Sequence, residues 1–135
     1  MRNVLIGLGV LTALAQNVQT ASAQGTTSVK ITKATVAGTG PYNITSEGLV
    51  SIKIGEVFMG VQYQVLELAP GGATYVGFTN LPDGPPVPGM EASKVTGNSP
   101  PFPRKGDYRV FFSMQYRDND GKLRTMSATK DVNIP

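Results

Sequence analysis

Cysteine, histidine and tryptophan are absent from the 135 residues. Without cysteine the chain has no disulfide, no thiol nucleophile and no lipid-bearing cysteine after a leader. Without histidine, Ser-His-Asp and Cys-His catalysis fall away, and with them imidazole and thiolate metal sites. Charge is scarce as well: charged residues make up 16% of the chain, with a formal net charge of +3. The basic residues are dispersed from Lys30 to Lys130, the densest groups being Arg104 to Arg109 and Arg117 to Arg124. Nucleic-acid binding concentrates cations to neutralise several phosphates. This mixed pattern predicts solvated strand faces and no nucleic-acid partner.

What is present begins with a leader. Arg2 precedes an apolar run from Val4 to Ala15, and small residues end in Ala21-Ser22-Ala23, an A-x-A cleavage pattern. Gln16, Asn17, Gln19 and Thr20 close the run well short of the about 20 apolar residues a membrane-spanning helix needs. Residues 1–23 therefore read as a secretory signal peptide, and the expected product is secreted, periplasmic or at the cell surface, with no transmembrane segment after cleavage. The remaining 112 residues, 24–135, make one domain of ordinary size.

In that domain no window holds a sustained i, i+3, i+4 apolar pattern, whereas β-branched residues alternate with polar ones between Gly and Pro breaks. The fold expected is all-β, a single antiparallel sandwich of about six to seven strands. Candidate strands are Ser28 to Val36, then Leu49 to Ile54 with Val50, Ile52 and Ile54 on one face. Phe58 to Leu68 follows, bent at Gly60. In this third strand Val61, Tyr63 and Val65 compete with Leu66 and Leu68 for the inward face. Pro70-Gly71-Gly72 turns the chain into a fourth strand, Ala73 to Phe78.

Residues 80–106 differ in kind. Pro82, Pro85, Pro86, Pro88, Pro100, Pro101 and Pro103 fall here, and proline lacks the N–H that a central strand donates. Most of the segment reads as loop, with room for one short edge strand around Glu91 to Thr96. So long a loop is either functional or conceals an element. The spacings Pro82-x-x-Pro85 and Pro100-x-x-Pro103 match what polyproline-reading domains recognise, but those partners are mainly intracellular. A rigid loop anchored by Phe102, and available for a specific contact, fits an exported chain better.

Tyr108 to Tyr116 alternates cleanly, placing Tyr108, Val110, Phe112, Met114 and Tyr116 on one face. Asp118-Asn119-Asp120-Gly121 turns the chain, and Leu123 to Ile134 returns as the last strand. The stretch Lys105-Gly106-Asp107-Tyr108-Arg109-Val110 leading into this hairpin resembles the last two strands of immunoglobulin-like and fibronectin type III-like sandwiches. There a Gly-x-Tyr-x-Val pattern enters the penultimate strand. The resemblance covers residues 105 to 134 and implies that Tyr108 forms a tyrosine corner, its hydroxyl bonded to nearby backbone. Lacking the Cys pair and Trp, the chain departs from antibody-type domains. Some exported sandwiches of this broad class complete a neighbour's sheet with an N-terminal strand. Gln24 to Val36 could be such an arm, or an ordinary first strand paired within its own domain.

Chemistry is thinly supported. Nine acids supply carboxylates, but nothing singles out the pair a glycosidase requires. The run from Asp118 to Gly121 starts like a calcium loop yet lacks the downstream Glu, and a hairpin turn accounts for it. Asn43-Ile44-Thr45 fits the N-glycosylation acceptor triplet. No cofactor is implied. The function expected is an exported, non-enzymatic structural or protein-interaction module, a cell-surface or filament subunit. It would contact another protein or itself through a sheet edge or the Pro-rich loop. The alternative is a carbohydrate-binding accessory domain using Tyr63, Tyr75 or Tyr116 as a stacking platform.

Overall fold

The computed structural model describes residues 24–135; the expected signal peptide, residues 1–23, lies outside the described residues. Eight strands form: β1 (Ser28–Ala37), β2 (Asn43–Ser51), β3 (Val57–Glu67), β4 (Thr74–Val76), β5 (Phe78–Asn80), β6 (Ser93–Asn98), β7 (Gly106–Arg117) and β8 (Leu123–Ile134). They make two four-stranded sheets, ordered β1-β2-β6-β5 and β4-β3-β7-β8, with every pairing antiparallel. The architecture is an all-β sandwich. Among the described residues no helix is long and apolar enough to cross a membrane.

The core comes from strand alternation. Ile44, Val50 and Val95 of one sheet are fully buried, as are Tyr63, Val65, Val110, Phe112 and Met114 of the other. Each such side chain contributes roughly 1.5–3 kcal/mol when removed from water. The cleanest alternation, Tyr108 to Tyr116, becomes the inward face of β7, paired over its whole length with β8. In β3 the competition resolves in favour of Tyr63 and Val65, while Leu68 is exposed. A register shift between Phe58 and Gly60 sets this phase, and Gly60 takes the left-handed φ of +138° that the bulge imposes.

Three strand expectations are corrected. β2 begins at Asn43 and stops at Ser51, so Ile54 does not share the buried face of Val50 and Ile52. The chain turns, with Glu56 N–H donating to the Lys53 carbonyl, and leaves Ile54 56% exposed. The single strand expected over Ala73 to Phe78 is two: β4 pairs with β3, the chain crosses at Gly77, and β5 pairs with β6 in the opposite sheet. The crossing is tight, because Gly77 N–H donates to the Tyr63 carbonyl and a Cβ on Gly77 would stand 2.6 Å from the Tyr63 ring. The short edge strand expected at Glu91 to Thr96 is β6, and it is interior, bonded to β2 on one side and β5 on the other. Its proline-free sequence keeps every N–H available for both neighbours.

The first strand pairs within its own domain, with β2. Gln24 to Ser28 is not a free arm. The Gln24 carbonyl accepts from Ile54 N–H at 2.8 Å and the Thr26 carbonyl from the Ser51 hydroxyl at 2.6 Å. The Thr27 hydroxyl donates to the buried Glu56 carboxylate, which also accepts from Lys53 N–H. The register places Ser28, Ser51, Val57, Arg117 and Leu123 at one end of the sandwich, here the lower. Ala37, Asn43, Glu67, Gly106 and Ile134 lie at the other.

Candidate functional site

β6 divides the Pro-rich segment, so its halves serve opposite ends. Residues 99–105 lie at the upper end. Phe102 and Tyr42 exchange two backbone hydrogen bonds of 2.8 Å. The fully buried Phe102 ring packs on Tyr108 and Tyr75 with centroids 4.6 and 5.2 Å apart, close enough for favourable aromatic pairing. The Tyr108 hydroxyl donates to the Arg104 carbonyl at 2.6 Å, four residues upstream. The Arg104 side chain grips the buried Glu67 carboxylate at 3.0 and 3.2 Å. These hydrogen bonds, with one from Ala73 N–H, hold the Glu67 carboxyl below its ordinary value. Pro101 and Pro103 are exposed and Pro100 half-buried around this anchor. The upper half is a clasp.

Residues 81–92 cross to the lower end, where Pro82, Pro85 and Pro88 are exposed and Pro86 is buried. A turn closes at Met90 N–H to the Val87 carbonyl, and Gly89 N–H donates to the Ile52 carbonyl at 2.9 Å. Gly89 has φ +79°, and a Cβ there would stand 2.5 Å from the Ile54 side chain. The loop is thus laid against the β2–β3 turn, with Gly89 against Ile54 and the exposed Val87 and Met90, at 60% and 63%, on either side of Gly89 in the chain. Three exposed large apolar residues, Ile54, Val87 and Met90, thus belong to the two segments at this end, where Ile54 is bonded to the pinned N-terminal arm. Sequence reasoning placed Ile54 in the core and passed over Val87 and Met90. The signal that could have found Ile54 is Gly55-Glu56 directly after it, which ends the strand alternation.

The remaining candidates are structural in their contacts. Tyr63 is fully buried, its hydroxyl 2.8 Å from Ser46 Oγ and 3.3 Å from the Ile44 carbonyl. Burial pushes that phenol up to about 12, with the Ser46 hydrogen bond opposing. Tyr116 is buried and half-buried Tyr75 lies against Phe102, so of the three tyrosines proposed as a stacking platform Tyr63 and Tyr116 are enclosed in the core. Asn43 heads β2, half-buried and paired with Ala37, and the Thr45 hydroxyl of its triplet donates to Asn98 Oδ1 at 2.7 Å. Asp118 accepts from Asp120 N–H, Lys122 N–H and Arg124 in the β7–β8 turn. Arg124 first, then the Lys122 N–H, lowers its carboxyl. Among the described residues no three acids gather to hold a metal ion.

The free strand edges differ in quality. β1 carries a bulge between Ile31 and Lys33 together with Lys30 and Lys33, devices that discourage strand addition. β4 and β5 are three residues each, and β8 is flanked by β1 across the seam of the sandwich. No protein-family model, curated protein or solved structure matches the chain.

Proposed function

We propose that this chain is an exported, non-enzymatic β-sandwich module of the immunoglobulin-like or fibronectin type III-like kind that works by contacting another protein surface, a second copy included. The leader pattern of residues 1–23 supports export. The Gly-Asp-Tyr-Arg-Val entry to β7, with the Tyr108 hydroxyl bonded to backbone four residues upstream, supports the sandwich type. The observation that carries the function is the lower-end patch of Ile54, Val87 and Met90. Side chains this exposed and apolar contribute little to the core, and grouped exposed apolar surface characteristically marks a contact site. The lower half of the Pro-rich segment is therefore the contact loop, and the upper half its structural counterpart.

The test is light scattering and negative-stain imaging of the protein purified from its native envelope, beside Val87→Lys and Met90→Glu variants. Assemblies in the native protein that dissociate in both variants, with unchanged circular dichroism, are expected. Identical assembly in native and variant protein removes the patch from the function. A native protein that is strictly monomeric and free of any bound protein overturns the reading itself.

A further inference from the structure

The outer face of the β4-β3-β7-β8 sheet holds a groove of about 350 Å³ lined by Gly60, Val61, Gln62, Ser113 and Gln115. The register explains its chemistry. Gly60 pairs with Gln115 and Gln115 with Thr125; Gln62 with Ser113 and Ser113 with Ser127; Gln64 with Phe111 and Phe111 with Thr129. Directly paired residues of a sheet share a face. Three successive rungs therefore present amides, hydroxyls and one aromatic ring, with exposed Val76 of β4 beside Gln64 on the last, over about 14 Å of strand and without a formal charge. The rung above contains Arg109 and Asp131, which neutralise each other at 2.7 and 3.1 Å, and the rung below contains Arg117, whose guanidinium donates to the Gly121 carbonyl. The floor is open: nothing lies within 4 Å of where a Cβ on Gly60 would stand.

We infer that this groove is a binding site for a neutral glycan chain. Amides and hydroxyls both donate and accept, which suits a ligand whose hydroxyls do the same. The half-buried Phe111 ring offers an apolar surface to the C–H face of a sugar. An anionic polymer would find no unpaired cation on these rungs, whereas binding a phosphate backbone requires several. An apolar ligand would meet a largely polar lining, and an extended peptide adds at a sheet edge rather than across a face. The site is separate from the apolar patch formed by Ile54, Val87 and Met90, so it extends the proposed contact function to a second kind of partner.

Affinity electrophoresis of the exported protein through native gels containing amylose, xylan, glucomannan or mixed-linkage β-glucan tests this, with alginate as the anionic comparator. Retardation by at least one neutral polymer is expected. Gln62→Ala and Gln115→Ala should each weaken it about 3–10-fold, the scale of one lost hydrogen bond. Val87→Lys should leave it unchanged, which keeps this result distinct from the protein-contact test. Circular dichroism checks that the variants fold. The inference is overturned by no retardation in any neutral polymer, by retardation that persists in the Gln62→Ala/Gln115→Ala double variant, or by stronger retardation in alginate.

Discussion

Replacing Gly97 by Ala adds one methyl group at the centre of the sandwich. Gly97 lies in β6 between Ser46 and Thr79, in ordinary extended backbone, so the substitution creates no dihedral strain. The obstacle is Tyr63. A Cβ on Gly97 would stand 2.5, 2.6 and 2.8 Å from three atoms of that ring. The ring cannot retreat, because its hydroxyl is held by Ser46 and Ile44, Phe112 packs 5.0 Å away, and the Gly77 crossing closes on its edge. Overpacking of a tight core costs about 1–3 kcal/mol. Removing a strand glycine recovers roughly 0.5–1 kcal/mol; with the ring held on every side the overpacking cost falls in the upper half of its range, so a net loss of about 1–2.5 kcal/mol remains. For a domain near 100 residues each kcal/mol lowers Tm by about 4–8 °C. Thermal denaturation followed by circular dichroism should therefore show a fall of about 4–20 °C. In a Tyr63→Leu background the same substitution should cost much less, since contacting pairs couple. A Gly97→Ala protein as stable as the parent would refute the claim that these two residues are matched in shape.

Two further outcomes follow from titration. With burial raising the Tyr63 phenol to about 12, its contribution to stability is complete below the unfolded value near 10 and is lost as pH rises towards 12. The Tm difference between the parent and Tyr63→Phe should accordingly narrow across that window, as read by calorimetry. Glu67, whose carboxyl is lowered chiefly by Arg104, stabilises the fold above its ordinary value of 4.5 and ceases to do so as pH falls through its depressed value. Glu67→Gln should flatten the acid side of the Tm–pH curve, and an unchanged acid limb would remove Arg104–Glu67 from the account of the clasp.

Strand alternation was readable wherever one face is buried and the turn chemistry is local. The β7–β8 hairpin shows both, with Tyr108 to Tyr116 inward and Asp118 to Gly121 turning. Legibility failed where tertiary geometry overrides local pattern. Ala73 to Phe78 reads as one strand because nothing in its sequence except Gly77 marks a change of sheet, and glycine in a strand has several meanings. Ile54 continues a perfect alternation and is nevertheless expelled by a turn one residue later. The neighbourhood of Ile54 and Met90 depends on a loop folding back across 36 positions, and the Tyr63–Ser46 bond joins opposite sheets. Such pairings leave no trace in spacing. The Pro-rich segment showed its composition but not that β6 would part it between two ends.

The pinned N-terminal arm and the direction of the outer strands also have a mechanical meaning. Gln24 leaves the domain beside Ile54 at the lower end, and Ile134 ends β8 at the upper. β1 and β8 thus run in the same direction on flanking positions. Tension applied between Gln24 and Pro135 would draw each along its own axis against its partner, β2 or β7. Ladder hydrogen bonds stand perpendicular to the strands, so the nine registered pairs of β1 and the twelve of β8 would carry the load together rather than open one after another. A module strung by its two ends in an envelope or filament would resist pulling as a shear clamp.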